Sequence, residues 1–299
     1  PFMMSAVGVA LPVIGREFHA SAMQLALVET TYVLSASIFL LAMGRLGDIR
    51  GRNRILRHGL LIFTLAGGLL SQAWSIESLI ALRFLQGMGG SMVMATTLAI
   101  LVAVFPPQER GKAIGIAVAS VYAGISCGPF IGGHLVALLG WRAIFYLILP
   151  LGFGTWLVTR FKLTEEWADA KGEPFDWQGA GLYALSIFLL VSGVANLSRG
   201  LWAWGLLLAA NAGLLLFLRF ESRCAHPLLD IRLLSENRVF ALSNLAALFN
   251  YAATFGVTFF LSLYLQYVQG MSPRMACSSV LLAICSMTRS FSEILSRMV

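Results

Sequence analysis

Charge is scarce in this chain. Only 12% of its 299 residues are Asp, Glu, Lys or Arg, against 58% hydrophobic residues and a mean hydropathy of +0.81. A soluble core of this length does not need so much apolar surface. A bilayer does, because side chains facing lipid are apolar. Cysteine is sparse too: Cys127, Cys224, Cys277 and Cys285 show no CxxC spacing and no secreted-domain pattern, which gives no ground for a disulfide or a metal site. His19, His58, His134 and His226 are scattered and form no ligand cluster. There is no HExxH, no Walker sequence and no nucleophile–base pair, so the chain reads as no enzyme and implies no cofactor. Gly87-Met88-Gly89-Gly90 lacks GxGxxG spacing and a preceding strand, which excludes a phosphate loop.

What the chain has in abundance is long apolar runs. They fall near residues 1–14, 24–43, 57–74, 79–104, 113–138, 143–159, 178–197, 201–218 and 240–264, with a weaker run at 275–287. Most are about long enough to cross a bilayer. The connections alternate in charge. Those at 44–58, 105–112, 160–176 and 219–238 hold 14 of the 21 Lys and Arg; those at 15–22, 75–78, 139–142, 198–200 and 265–274 hold 4. By the positive-inside rule the first set is cytoplasmic. The formal charge of +7 is therefore topology and not a nucleic-acid footprint. These runs predict an all-α polytopic bundle in the cell membrane, with about nine full spans and a partial tenth.

The densest charge is in Gly44–Arg54, five charges in eleven residues, read as a tight basic turn between spans two and three. The first run would cover only about 21 Å as a helix, which predicts a first helix clipped at its start or a short one. The polar stretch 162–176, broken by Gly172 and Pro174, marks a boundary. The expected units are a six-helix bundle over 1–160, a linker with two extra membrane helices over 161–219, and the start of a second bundle over 220–299. Trp202 and Trp204 suit the headgroup region. Met287, Phe291, Ile294, Leu295 and Met298 share one helical face, as in a surface-lying helix; a fraying tail is the alternative.

Several motifs, taken in order, resemble the major facilitator superfamily. Gly44-x-Leu46-Gly47-Asp48-x-x-Gly51-Arg52 is similar to its loop 2–3 signature, and Arg83-Phe84-Leu85-Gln86-Gly87 to its fourth-helix signature. Gly124-x-x-x-Gly128-Pro129-x-x-Gly132-Gly133 is similar to the fifth-helix signature of its antiporters. Gly140-Trp141-Arg142, Pro150-x-Gly152 and His226-Pro227-Leu228-Leu229-Asp230, together with the two extra central spans, resemble its fourteen-helix drug:proton antiporter branch. The resemblance implies two bundles that rock about a substrate held between them, exporting amphipathic or cationic compounds against inward proton flow. Its partners would be the bilayer, a small-molecule substrate, protons and a missing C-terminal half.

The resemblance implies that Gly44, Asp48, Gly51 and Arg52 form a conformational latch. By residue chemistry alone, Asp48 could accept from helix N-terminal amides or pair with Arg52; the plain alternative is a solvated topogenic loop. Ile49 and Asn53 stand where basic residues are commoner. Arg83 lies a few residues inside an apolar span, where a guanidinium normally faces a cavity or a partner; the alternative is snorkelling to the outer headgroups. Glu29 sits at a similar depth in span two, so Glu29 and Arg83 are expected to share a cavity and serve proton coupling. Gly124, Gly128, Gly132 and Gly133 permit a close helix, and Pro129 favours a kink; static tight packing is the alternative. Tyr32 and Tyr122 are candidates for the substrate path. Gln86, Asn196, Asn211, Asn244 and Asn250 are expected mainly as hydrogen-bond partners between helices. Two positions depart from the branch: Met3 stands where an aspartate is usual, and Ile148 where an asparagine often precedes the proline. The chain ends within the expected tenth helix. This keeps open a transport-inactive relic, or a membrane scaffold or sensor that retains only the first bundle.

Overall fold

The computed structural model describes residues 1–197, 200–264 and 269. The chain is all-α. Its helices are α1 (Phe2–Phe18), α2 (Ala22–Arg50), α3 (Arg52–Leu70), α4 (Ile76–Val104), α5 (Pro107–Leu139), α6 (Arg142–Lys162), α7 (Trp177–Ala195), α8 (Trp202–Glu221), the single-turn α9 (Arg232–Glu236) and α10 (Arg238–Leu263). Among the described residues, α2, α4, α5, α6, α7 and α8 are long and apolar enough to cross a membrane. Helix α1 has 17 residues, and α3 carries Arg52, Arg54, Arg57 and His58 in its first two turns; both pack within the same bundle. The run 275–287, the C-terminal amphipathic face, Cys277 and Cys285 lie outside the described residues.

Local chemistry explains the helix limits. Ser21 and Ser75 open α2 and α4 with capping boxes, reciprocal bonds to Gln24 and Ser78. Asp176 caps α7 by accepting from the backbone of Gln178 and Gly179 at 3.1 and 2.9 Å. Pro107 starts α5, where its missing N–H is harmless. The basic turn expected at 44–54 is far shorter than its sequence suggests. Helix α2 runs to Arg50 and α3 begins at Arg52, so the chain reverses at Gly51 alone, whose φ of 109° strains any residue with a Cβ.

Helix α4 is the hub, with α2 on one side and α3 on the other; α1 pairs with α5, and α3 with α6. The core joins Val7, Ala10 and Ile14 of α1 to Leu70, Leu79, Trp141 and Phe145. Helices α7 and α8 form a hairpin that touches the bundle through α2, where the Tyr183 hydroxyl donates to the Ser37 carbonyl at 3.3 Å. Large apolar residues such as Phe130, Leu138, Leu157 and Leu215 face outward. That outer surface is wrong for water and right for lipid.

Candidate functional site

Three groups of sequence-predicted residues come together in the bundle, and the first is a polar cluster inside it. Residues three apart on a helix share a face, so Arg83 and Gln86 of α4 project together. The Arg83 guanidinium is fully buried, at 0% exposure. It donates to Gln86 Oε1 at 2.9 Å and meets Glu29 Oε1 of α2 at 3.3 Å. Glu29 keeps 26% of its side chain open, so the pair has one sealed partner and one reachable partner. The rings of Tyr32 and Phe145 lie 5.5 and 5.7 Å from the guanidinium carbon, within reach of a cation–π contact. Burial at 0% removes the snorkelling alternative for Arg83.

Glycine makes this meeting possible. A Cβ on Gly87 would stand 2.5 Å from the Tyr32 carbonyl oxygen and 2.7 Å from Ser35 Cβ. Only a bare α-carbon lets α2 come so near, and Ser35 Oγ then donates to the Phe84 carbonyl at 2.6 Å. On the other face of α4, a Cβ on Gly89 would meet the Phe63 nitrogen of α3 at 2.6 Å.

Two buried donors of this cluster stay unmatched. The Gln86 amide nitrogen has no hydrogen-bond partner in the protein, nor does Arg83 Nε. The Gln86 nitrogen and Ile148 Cγ2 lie 3.8 and 3.1 Å from the point where Gly67 would carry a Cβ. Both side chains thus border Gly67, and Ile148 occupies the position where the antiporter branch often has asparagine. An asparagine there would bring an acceptor oxygen to the same side of Gly67 as the unmatched Gln86 donor. Ile148→Asn is expected to hold the denaturation midpoint of the purified chain near the parent's. Ile148→Ala, which leaves a cavity and no acceptor, should cost about 2–4 kcal/mol.

The second cluster sits at the basic end. Asp48 pairs with Arg52 one turn away, the shortest nitrogen–oxygen distance being 2.7 Å. Arg52 also meets Asp169 at 2.7 Å, and its backbone N–H donates to the Trp167 carbonyl at 2.9 Å. The Ala170 N–H donates to the Asp48 carbonyl at 3.0 Å. The polar connector between α6 and α7 is thus folded against the α2–α3 reversal. Asn53, whose departure from the basic pattern put this geometry in question, is fully buried; its amide donates to the carbonyls of Leu163 and Glu165 at 2.6 and 2.8 Å. Further along, Glu173 bridges Arg45 at 2.5 Å and His226 Nδ1 at 2.9 Å. The hydrogen bond with His226, and then Arg45, hold the Glu173 carboxyl below its ordinary range.

The third cluster is the glycine stripe of α5. Gly124, Gly128 and Gly132 face Phe2, Ser5 and Ala6 of α1; a Cβ on Gly132 would stand 3.0 Å from Ala6 Cα. Gly133 has more room, with Val9 Cγ1 at 3.9 Å from such a Cβ. Pro129 lies within the same helix. Tyr32 is buried and Tyr122 half-buried on α5. Gly44 lies within α2, across from Ala95. The amides of Asn211 and Asn244 bond carbonyls of their own helices, Leu207 and Phe240. These amide nitrogens, expected between helices, reach back four residues along their own helix instead.

Two groups escaped the sequence. The connector carboxylates Glu166, Asp169 and Glu173 were legible only as a mixed polar stretch, although their sign complements the arginines of 45–57. At the end opposite the basic loops, Glu17 accepts from Trp141 Nε1 and from Arg142, both at 2.6 Å, while Arg142 also donates to the Ala73 carbonyl at 3.1 Å. A lone glutamate in the first outer connection was the available signal.

An all-helical bundle with an apolar outer surface and six helices long and apolar enough to cross a membrane is the architecture of a multi-pass membrane protein. The chain matches the family described as Major Facilitator Superfamily over residues 1–299, and it belongs to that family. It is a transporter-family protein and not an enzyme. It is 31% identical over 273 residues to the tetracenomycin C resistance and export protein of Streptomyces glaucescens, covering 89% of this chain and 50% of that protein. It is 33% identical over 273 residues to the riboflavin transporter RibZ of Clostridioides difficile (strain 630), covering 91% and 59%. It is likewise 33% identical over 273 residues to the multidrug resistance protein Stp of Mycobacterium tuberculosis (strain ATCC 25618 / H37Rv), covering 89% and 50%. The chain spans about half the length of these curated relatives.

Proposed function

We propose that this chain supplies the proton-coupled half of a secondary exporter of amphipathic or cationic small molecules. The observation that carries the reading is the sealed Arg83 paired with a reachable Glu29. A partly exposed carboxylate can take up a proton, whereas an arginine keeps its charge. Proton uptake by Glu29 would release it from Arg83 and shift the balance between two bundle arrangements. The names of the relatives, covering antibiotic export, multidrug resistance and riboflavin transport, support a small organic substrate. In this reading residues 1–160 form the first transport bundle, 161–219 the linker hairpin and 220–299 the opening of a second bundle, with nine full spans and part of a tenth. The α2–α3 reversal is a cytoplasmic latch: Gly44, Asp48, Gly51 and Arg52 hold one arrangement. The α5 stripe with Pro129 is the flexing face against α1. Tyr32 and Tyr122 border the substrate path.

The test uses everted membrane vesicles from cells expressing the full gene product, with ethidium as probe. Accumulation should follow an imposed proton gradient and vanish with a protonophore, and Glu29→Gln should lower the proton-driven rate by about 100-fold, as expected for loss of a proton-transfer group. Unchanged pH dependence in Glu29→Gln would remove Glu29 from coupling. Accumulation driven by a sodium gradient alone would replace the proton.

A further inference from the structure

Helix α3 begins without a cap of its own. Gly51 stands at its N-cap and offers no side-chain acceptor, although the first amides of a helix need one. The acceptor comes from 113 residues further along. Glu166 Oε1 accepts from the Asn53 N–H at 2.8 Å and from the Arg54 N–H at 3.4 Å. Its second oxygen faces the side chains of Arg54 and Arg57 at 3.7 and 3.8 Å. Gly51 serves this contact as well as the turn, because a Cβ there would collide with the Glu166 carboxylate. Asp169 reaches the same Arg52 that Asp48 holds, and Asn53 fastens the connector backbone at Leu163 and Glu165.

We propose that the α6–α7 connector is a positioning strap for the α2–α3 latch, with Glu166 supplying the missing cap of α3 and Asp169 the second carboxylate on Arg52. This rests on the reading of that reversal as a latch. The carboxylate sits where the α3 backbone dipoles are most positive and where two guanidiniums add to them. Arg52 is divided between a carboxylate of its own loop and one on the connector. Any movement of α2–α3 that breaks the Asp48 pair must therefore also slide along, or release, the strap. The strap continues into α7, which links the latch mechanically to the linker hairpin.

Amide hydrogen exchange on the full chain in lipid nanodiscs tests this, read over residues 52–58 and, as a control, over α4. Glu166→Ala should speed exchange in the first turn of α3 by about tenfold, the population change expected of a lost cap. Glu166→Gln keeps an acceptor oxygen and should return exchange to within about threefold of the parent. That rescue separates capping from bulk. Exchange over 52–58 that ignores Glu166→Ala, or that rises equally in α4, overturns the strap. The latch reading fails separately: ethidium transport unchanged by Asp48→Asn would remove the latch while leaving the Glu166 effect in place.

Discussion

Glu29→Leu is expected to destabilise the bundle by about 3–5 kcal/mol, the loss typical of a buried ion pair stripped of one partner. The substitution leaves the Arg83 guanidinium at 0% exposure, 3.3 Å from where its counter-charge stood. Arginine cannot shed its proton to escape, and Gln86 alone cannot replace a charge. The opposite substitution, Arg83→Met, should cost less. Glu29 is 26% open and can neutralise itself by taking a proton, and methionine fills part of the vacated space against Tyr32 and Phe145. The double variant Glu29→Leu with Arg83→Met should recover most of the loss, since replacing both charges removes the desolvation penalty with the attraction. Unfolding in mixed detergent micelles measures all three. Equal losses for the two single variants, adding in the double variant, would mean that the two side chains are not energetically coupled.

Gly87→Val carries the second large effect. Its Cβ would stand 2.5 Å from the Tyr32 carbonyl oxygen and 2.7 Å from Ser35 Cβ. The first of these is backbone and cannot swing aside. Helices α2 and α4 would have to part along their contact, lengthening the Ser35–Phe84 hydrogen bond, now 2.6 Å, and the Arg83–Glu29 approach one turn away. A loss of about 3 kcal/mol, at the upper end for overpacking, is the expected result. Gly154→Val is the control. Its Cβ meets nothing within 4 Å on the outer face of α6, and its midpoint should stay within about 0.5 kcal/mol of the parent. A mild Gly87→Val would mean that α2 and α4 can separate without loss, against the tight packing of protein interiors.

Both variants test a meeting that the sequence had suggested by depth alone. Glu29 and Arg83 could be placed at similar heights because helical rise is constant. Rotation of each helix about its axis cannot be read that way, and it decides whether two groups at one height face each other or face lipid. The motif glycines show the same division. Their spacing of four in α5 announced a close neighbour, but that the neighbour is α1, at Phe2, Ser5 and Ala6, is a matter of assembly.

The chain by itself determined that it is a helical membrane protein, roughly where its apolar helices lie, which segments are basic and which residues could carry charge inside. These follow from composition and short-range periodicity, because a bilayer rewards apolar length and a helix satisfies its own backbone. Only the tertiary structure decided what caps α3, what shares Arg52 and what leaves the Gln86 amide unmatched. The reversal at Gly51 reads from sequence as a tight basic turn without partners, because those partners are carboxylates more than a hundred residues away. Contacts at such separation depend on how α2, α3 and α6 pack side by side, and no local pattern records that arrangement.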